Sequence, residues 1–178
     1  ALPLVPTSRI VSSLFSIGTL VCLFFLARSY YGKKVGYLTA FFFAVLPYSV
    51  YYSRVILPEP IMVFFSTLSI TAFRFYIKKP SAKTYWISLI SLMLALLLKP
   101  FVAFLIPVYA VILFEERKLK AVLTDIKLYA YAILAIIPFM LWRYWIAKFP
   151  EGIPASDWLL NGNGIRFRPA WFRWLGYE

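Results

Sequence analysis

Glu59 is the first acidic residue of the chain, and it stands between two prolines in the segment Leu57-Pro58-Glu59-Pro60. The proline rings restrict the neighbouring backbone to extended conformations, so the carboxylate is held in a rigid turn. A carboxylate held in this way could bind a metal ion or accept a hydrogen bond from a polar substrate. The simpler alternative is a helix start, because Pro60 suits the first helical turn and the helix dipole favours a negative charge there.

Three basic residues could supply positive charge to a phosphate group. Arg54 shares the loop with Glu59, Lys99 separates two apolar runs, and Arg9 precedes the first apolar run. Each could instead anchor a helix end or extend its charged group to the membrane surface. Because ionisable residues inside apolar segments are functional candidates by default, we retain all three.

Arginines alternate with aromatic residues near the end of the sequence, between residues 164 and 176. Arg166, Arg168 and Arg173 could hold a lipid phosphate through bidentate hydrogen bonds. Residues 170–175 could form a short helix in the membrane interface, with their tryptophans at headgroup depth. The alternative is that this tail simply anchors the chain to lipid headgroups.

The composition requires an apolar environment for these residues. Of the 178 residues 62% are hydrophobic and 15% are charged, whereas soluble domains are about 45–50% apolar and about 25% charged. A single soluble domain of this length could not bury so much apolar surface, so we expect a membrane protein. The single cysteine excludes an intrachain disulfide, and the lack of histidine excludes His-ligated zinc and Ser-His catalysis.

Six apolar runs predict an all-α polytopic membrane bundle of about six spans. In chain order the runs are residues 10–28, 35–53, 60–77, 84–98, 100–114 and 128–147. The runs are continuously apolar, which favours helices over a β-barrel. We expect kinks at Pro47, Pro107 and Pro138, and a short fourth and fifth span on either side of Lys99.

The basic residues predict the orientation of the spans. Six crossings place eleven Lys and Arg residues in the connections of one side and, before the sixth run, only three (Arg9, Arg54 and Lys99) in those of the other. The eleven are Arg28, Lys33, Lys34, Arg74, Lys78, Lys79, Lys83, Arg117, Lys118, Lys120 and Lys127. The positive-inside rule makes their side cytoplasmic. We therefore expect a transmembrane domain over residues 1–148 and an external juxtamembrane tail over residues 149–178.

Four segments occur in the order found in one enzyme family. They are RIVSSLF at residues 9–15, YGKKVG at residues 31–36, the loop from Pro47 through Arg54 to Glu59, and Leu98-Lys99-Pro100. This set resembles the dolichyl-phosphate-mannose–protein mannosyltransferase-like family, which includes aminoarabinose transferases and belongs to the GT-C glycosyltransferases. The resemblance covers about residues 9–114. The family usually carries Asp where this chain has Glu59.

The resemblance implies a GT-C-like glycosyltransferase in a plasma or inner membrane, with its active site on the external side. A sugar would move from a polyprenyl-phosphate donor to a protein, lipid or glycan acceptor, in protein glycosylation or cell-envelope assembly. Glu59 is then the expected catalytic residue. The residues expected to bind the lipid phosphate or sugar are Arg9, Arg54, Lys99, Arg166, Arg168 and Arg173.

The family also places a key carboxylate in its first external loop, which we expect to precede Ala1 in a longer protein. We therefore expect this chain alone to be inactive. A divalent metal, Mg²⁺ or Mn²⁺, stays open, with Glu59 as the candidate ligand. The partners expected are the lipid-linked donor, the acceptor and the bilayer, but no nucleic acid. Two alternatives are a membrane transporter or channel and a non-catalytic membrane subunit.

Overall fold

The computed structural model describes residues 4–117, 119–149, 164 and 167–176, and every regular element in these ranges is a helix. The helices are α1 (Leu4–Tyr31), α2 (Lys33–Val45), α3 (Pro47–Tyr52), α4 (Glu59–Lys78), α5 (Ala82–Leu98), a 3-10 helix (Pro100–Leu105), α6 (Ile106–Glu116), α7 (Leu119–Thr124), α8 (Ile126–Ile146) and α9 (Pro169–Gly176).

Contacts between helix ends show that α1 and α4 run in the same direction. Ser12 near the start of α1 donates a hydrogen bond to the carbonyl of Val55, shortly before α4. Lys78 at the end of α4 donates to the carbonyl of Ser29 near the end of α1. The α2–α3 segment therefore returns the chain from the end of α1 to the start of α4.

The later helices continue this alternation. Ser69 of α4 contacts Ser88 of α5, and Tyr85 near the start of α5 donates to the carbonyl of Lys127 near the start of α8. Glu116 at the end of α6 pairs with Arg74 near the end of α4, so the described ranges contain six apolar passes of alternating direction. We call the end that carries residues 53–59 and Lys99 the Glu59 end, and the end that carries residues 28–36, 74–83, 115–117 and 119–127 the basic end.

Three of the described helices are long and apolar enough to cross a membrane: α1 from Val5, α4 and α8. α5 is a shorter apolar helix, and the other two passes are divided into shorter helices. The protein is therefore an all-α membrane helical bundle, as predicted. The predicted bounds of the third, fourth and sixth runs agree with α4, α5 and α8 to within two residues.

The prolines act differently from the prediction at two of three positions. Leu46 has an extended backbone that separates α2 from α3, and Pro47 begins α3 instead of kinking a continuous helix. Pro107 lies in the first turn of α6, again at a helix start. Both positions suit proline because the first turn does not need its missing N–H group. Pro138 lies inside α8, and the kink expected there stays a prediction.

A polar cluster lies inside the bundle where α4, α5, α6 and α8 meet. Ser69 and Ser88 each donate to the other's backbone carbonyl, at 2.7 and 2.9 Å. The hydroxyls of Tyr109 and Tyr131 lie 2.7 Å from Ser69 Oγ and Ser88 Oγ, respectively. Small residues let membrane helices approach closely and their hydroxyls bond across helices, so this cluster holds the four helices together.

A buried arginine joins three helices at the basic end. Arg74 of α4 is only 4% exposed, and its guanidinium lies 4.0 Å from the ring centroid of Tyr30 in α1. Its Nη1 lies 2.6 Å from Glu116 Oε1 at the end of α6. Paired in this way, Arg74 fixes the spacing of α1, α4 and α6 instead of extending to the surface.

Gly18 in α1 lies directly against the ring of Phe64 in α4. A Cβ atom at this position would lie 2.5 Å from Phe64 Cε2. We expect Gly18→Val to separate the helices and to lower the unfolding free energy by about 1–3 kcal/mol, measured by denaturant titration in detergent. Gly176→Val is the control, because an added Cβ there meets no described atom within 4 Å. Equal stability of the two variants would contradict the packing argument.

The chain divides into two compact units, Ala1–Phe139 and Met140–Glu178. In the second unit α9 confirms the short helix predicted over residues 170–175. Its placement in a membrane interface stays a prediction, as do the domain boundaries at residues 148 and 149.

Candidate functional site

The loop between α3 and α4 is fixed against the start of α1. Ser12 Oγ donates to the carbonyl of Val55 and Ser13 Oγ donates to the carbonyl of Ser53, both at 3.0 Å. These bonds hold the backbone on both sides of Arg54. The two serines of the RIVSSLF segment therefore position a loop that lies about forty residues later in the chain.

Glu59 begins α4, so the helix-start alternative holds for the backbone. Its side chain does more than cap the helix, because Glu59 Oε1 forms an ion pair with Lys99 Nζ. Both side chains are about 30% exposed. Glu59 Oε2, in contrast, is buried and has no hydrogen-bond partner among the described residues. One carboxylate oxygen is thus paired, and the other remains able to accept a hydrogen bond.

Lys99 can contact Glu59 because the helical backbone is interrupted at Lys99. Lys99 is extended, at φ −150° and ψ 125°, between the end of α5 and the 3-10 helix that begins at Pro100. Lys99 thus interrupts the helix between the fourth and fifth apolar runs, and the fifth run is itself divided into the 3-10 helix and α6. The proline explains the break, since it disfavours helical backbone in the residue before it.

Arg9 and Arg54 line a common cavity at the same end of the bundle. The cavity has a volume of about 670 Å³, and its other walls include Tyr51, Val50 and Pro47. Both guanidinium side chains belong to exposed residues. No acidic residue in the described ranges forms an ion pair with either arginine. The cavity therefore presents two positive charges that the described chain does not neutralise.

The structure brings the predicted residues of the first unit to one end, but as two pairs. Glu59 contacts Lys99, whereas Arg54 shares its cavity with Arg9. The orientation of the runs led us to expect Glu59, Arg54 and Lys99 to face one cavity, but the cavity that Arg54 lines is lined by neither Glu59 nor Lys99. The ion pair was not predicted. It takes up much of the charge of Lys99, so the two arginines are the stronger anion-binding groups.

The tail arginines lie in the second compact unit. Arg168, directly before α9, and Arg173, within α9, are both exposed. Arg166 lies outside the described residues. Their role in phosphate binding stays a prediction.

A family model described as dolichyl-phosphate-mannose-protein mannosyltransferase matches residues 7–145, more than three quarters of the sequence. The chain belongs to this family. The match contains Arg9, Arg54, Glu59 and Lys99. It identifies a glycosyltransferase of the membrane, in agreement with the helical bundle. Comparison with curated proteins and with solved structures finds no match.

Among the described residues at the Glu59 end of this mannosyltransferase-family chain, Glu59 is the one carboxylate that could contact a divalent metal. Over the described ranges, no group of three or more His, Cys, Asp or Glu side chains comes together. Glu59 also carries an ammonium group on one oxygen, and that positive charge opposes a second cation. We therefore assign no step of the reaction to a metal.

The roles of Ser12 and Ser13 were not predicted, although both serines belong to the segment that carries the family resemblance. Serines in an apolar helix give no sign of whether they bond within the helix or to another segment. The available signal was the pair of adjacent serines, Ser12 and Ser13, in the first apolar run. In this family member they act as positioning residues, since they bond to the loop backbone.

Proposed function

We propose that this chain forms the donor-binding part of a membrane glycosyltransferase that takes a sugar from a polyprenyl-phosphate carrier. The observation that supports it best is the cavity shared by Arg9 and Arg54, at the end of the bundle that also carries the Glu59–Lys99 ion pair. Guanidinium groups bind phosphate in a bidentate manner, and they retain their charge in an apolar environment. A carrier that is apolar except for its phosphate suits such a cavity at the end of a membrane bundle.

The proposed transfer is a substitution at the anomeric carbon. An acceptor hydroxyl or amine forms a bond to this carbon while the bond to the phosphate oxygen breaks, and the polyprenyl phosphate leaves with the bonding electrons. Arg9 and Arg54 stabilise the negative charge that develops on the leaving phosphate. Glu59 accepts a hydrogen bond from the acceptor and directs its lone pair at the sugar, Lys99 holds the carboxylate in place through their ion pair, and the acceptor's proton passes to the departing phosphate.

We place this reaction on the external face of the membrane. The sequence pattern gives the two sides very different positive charge, since it assigns eleven Lys and Arg residues to the connections of one side and, before the sixth run, only Arg9, Arg54 and Lys99 to those of the other. The positive-inside rule favours the cytoplasm for the basic end. The Glu59 end would then meet donors and acceptors in the external leaflet.

Donor consumption in sealed vesicles of known orientation tests the proposal. The full-length protein is supplied with a radiolabelled polyprenyl-phosphate sugar or with the matching nucleotide sugar, together with an acceptor extract. We expect label to leave the polyprenyl carrier only when the Glu59 end faces the added substrates, and we expect no use of the nucleotide sugar. Direct use of the nucleotide sugar, or movement of intact donor across the membrane without cleavage, would refute the proposal.

A further inference from the structure

A cleft of about 410 Å³ opens at the basic end, away from the candidate site. It lies between the α4–α5 connection and the start of α8. Three aromatic side chains line it, those of Tyr76, Tyr85 and Trp86, and Lys127 lines it from α8. Tyr85 also donates a hydrogen bond to the carbonyl of Lys127, so the two walls are held together at a fixed spacing.

The charges around this cleft are unbalanced. The described acids of the basic end are already paired, Glu115 and Glu116 with Arg74, and Asp125 with Arg117. The lysines nearest the cleft in the chain are Lys79, Lys83 and Lys127, and none of them forms an ion pair with a described residue. An anionic ligand would therefore meet positive charge that the described protein leaves uncompensated.

The cleft continues into the apolar faces of two helices. Along α5, Trp86 and Ile90 are spaced by four residues and are 51% and 50% exposed, so they form one stripe. Along α8, Ile126 and Ile133 are spaced by seven residues and are 79% and 60% exposed. These stripes would flank a hydrocarbon chain that descends from the cleft into the bilayer.

We infer that the cleft binds one anionic phospholipid from the leaflet at the basic end. Its phosphate group contacts Lys127 and the lysines of the α4–α5 connection, and an acyl chain lies between the stripes of α5 and α8. Trp86 lies about 6 Å along the axis from the start of α5, which is a typical headgroup depth for tryptophan. Basic pockets between membrane helices bind anionic lipid headgroups in other proteins. The aromatic walls of this cleft favour a lipid over a free phosphate, because a free phosphate gains nothing from apolar contacts.

Quenching of tryptophan fluorescence by brominated lipids tests the inference. The protein in detergent micelles is titrated with dibrominated phosphatidylglycerol or dibrominated phosphatidylcholine, and the contribution of Trp86 is obtained by comparison with Trp86→Phe. We expect phosphatidylglycerol to quench this contribution at a concentration about fivefold or more below that of phosphatidylcholine. We also expect Lys127→Gln to raise the half-quenching concentration of phosphatidylglycerol about fivefold, the contribution of one lysine near an anionic membrane surface.

Lys33→Gln is the matched control, because Lys33 belongs to the same basic end but does not line the cleft. It should leave the titration unchanged, and circular dichroism confirms that each variant retains its helices. Equal quenching by the two lipids would overturn the inference, as would equal effects of Lys127→Gln and Lys33→Gln. A third outcome concerns inorganic phosphate. If millimolar phosphate abolished the preference for phosphatidylglycerol, while phosphatidylcholine displaced no bound lipid, the cleft would be a site for free phosphate and the lipid inference would be refuted.

Discussion

Glu59→Gln is expected to slow sugar transfer by the full-length protein about 100-fold or more, because glutamine is neutral and a weaker hydrogen-bond acceptor than a carboxylate. The same change should lower the unfolding free energy by about 2 kcal/mol or less. It removes a favourable charge from the first turn of α4 and breaks a partly exposed ion pair with Lys99, and each such interaction is worth about 1 kcal/mol or less. Donor consumption in nanodiscs and thermal unfolding measure the two effects separately.

Two further variants separate catalysis from pairing. Glu59→Asp keeps the charge and should restore part of the activity. The exchanged pair Glu59→Lys with Lys99→Glu keeps an ion pair at the same place and should recover the stability that the pair contributes, but not the part contributed by the helix dipole, and it should remain as slow as Glu59→Gln. Full activity in Glu59→Gln, with only a small fall in melting temperature, would return Glu59 to a role in starting α4.

Arg54→Gln is expected to weaken binding of a polyprenyl phosphate about 10- to 100-fold. Hydrogen bonds to charged groups contribute about 1.5–3 kcal/mol each, and glutamine keeps the size of the side chain but not its charge. Arg54→Lys should recover part of the affinity, since an ammonium group supplies charge without the bidentate geometry. The dissociation constants are measured with the full-length protein in detergent, for a short-chain polyprenyl phosphate.

The uncharged polyprenol provides the decisive comparison for Arg54. Its affinity should be the same for the protein and for Arg54→Gln, because only the phosphate contact is lost. Arg28→Gln is the control, since Arg28 lies at the opposite end of α1 from Arg9. An equal loss of affinity for polyprenol and polyprenyl phosphate would show that Arg54 supports the shape of the cavity and does not bind phosphate.

Much of the fold could be predicted because the bilayer limits the choices. Backbone groups in lipid must be paired within each segment, so a continuous apolar run is a helix. The distribution of lysines and arginines then predicts which connections share an end, and the contacts of Ser12 with Val55 and of Lys78 with Ser29 confirm the pairing. Placing Glu59 and Lys99 at one end followed from the same count.

The pairing of side chains within that end could not be predicted in the same way. The choice of basic side chain that contacts Glu59 depends on helix positions to within a few ångströms. It also depends on the extended backbone of Lys99. The position of Arg74 could not be predicted for the same reason. The sequence places Arg74 near a helix end, where a basic side chain usually extends to the surface. Its burial between Tyr30 and Glu116 depends on how three helices pack.

The 17 residues of α5 give it a length of about 26 Å, whereas the hydrocarbon core of a bilayer is about 30 Å thick. This hydrophobic mismatch should draw lipid headgroups and water inward along one side of the bundle. If the deficit falls at the end of α5, it falls where the chain turns at Lys99. Carrier phosphates would then come close to Arg9, Arg54 and the Glu59–Lys99 pair while still at the surface of a locally thinned membrane. Such a bundle should also reside preferentially in thin bilayers, and its donor affinity should fall as the acyl chains of the surrounding lipid are lengthened.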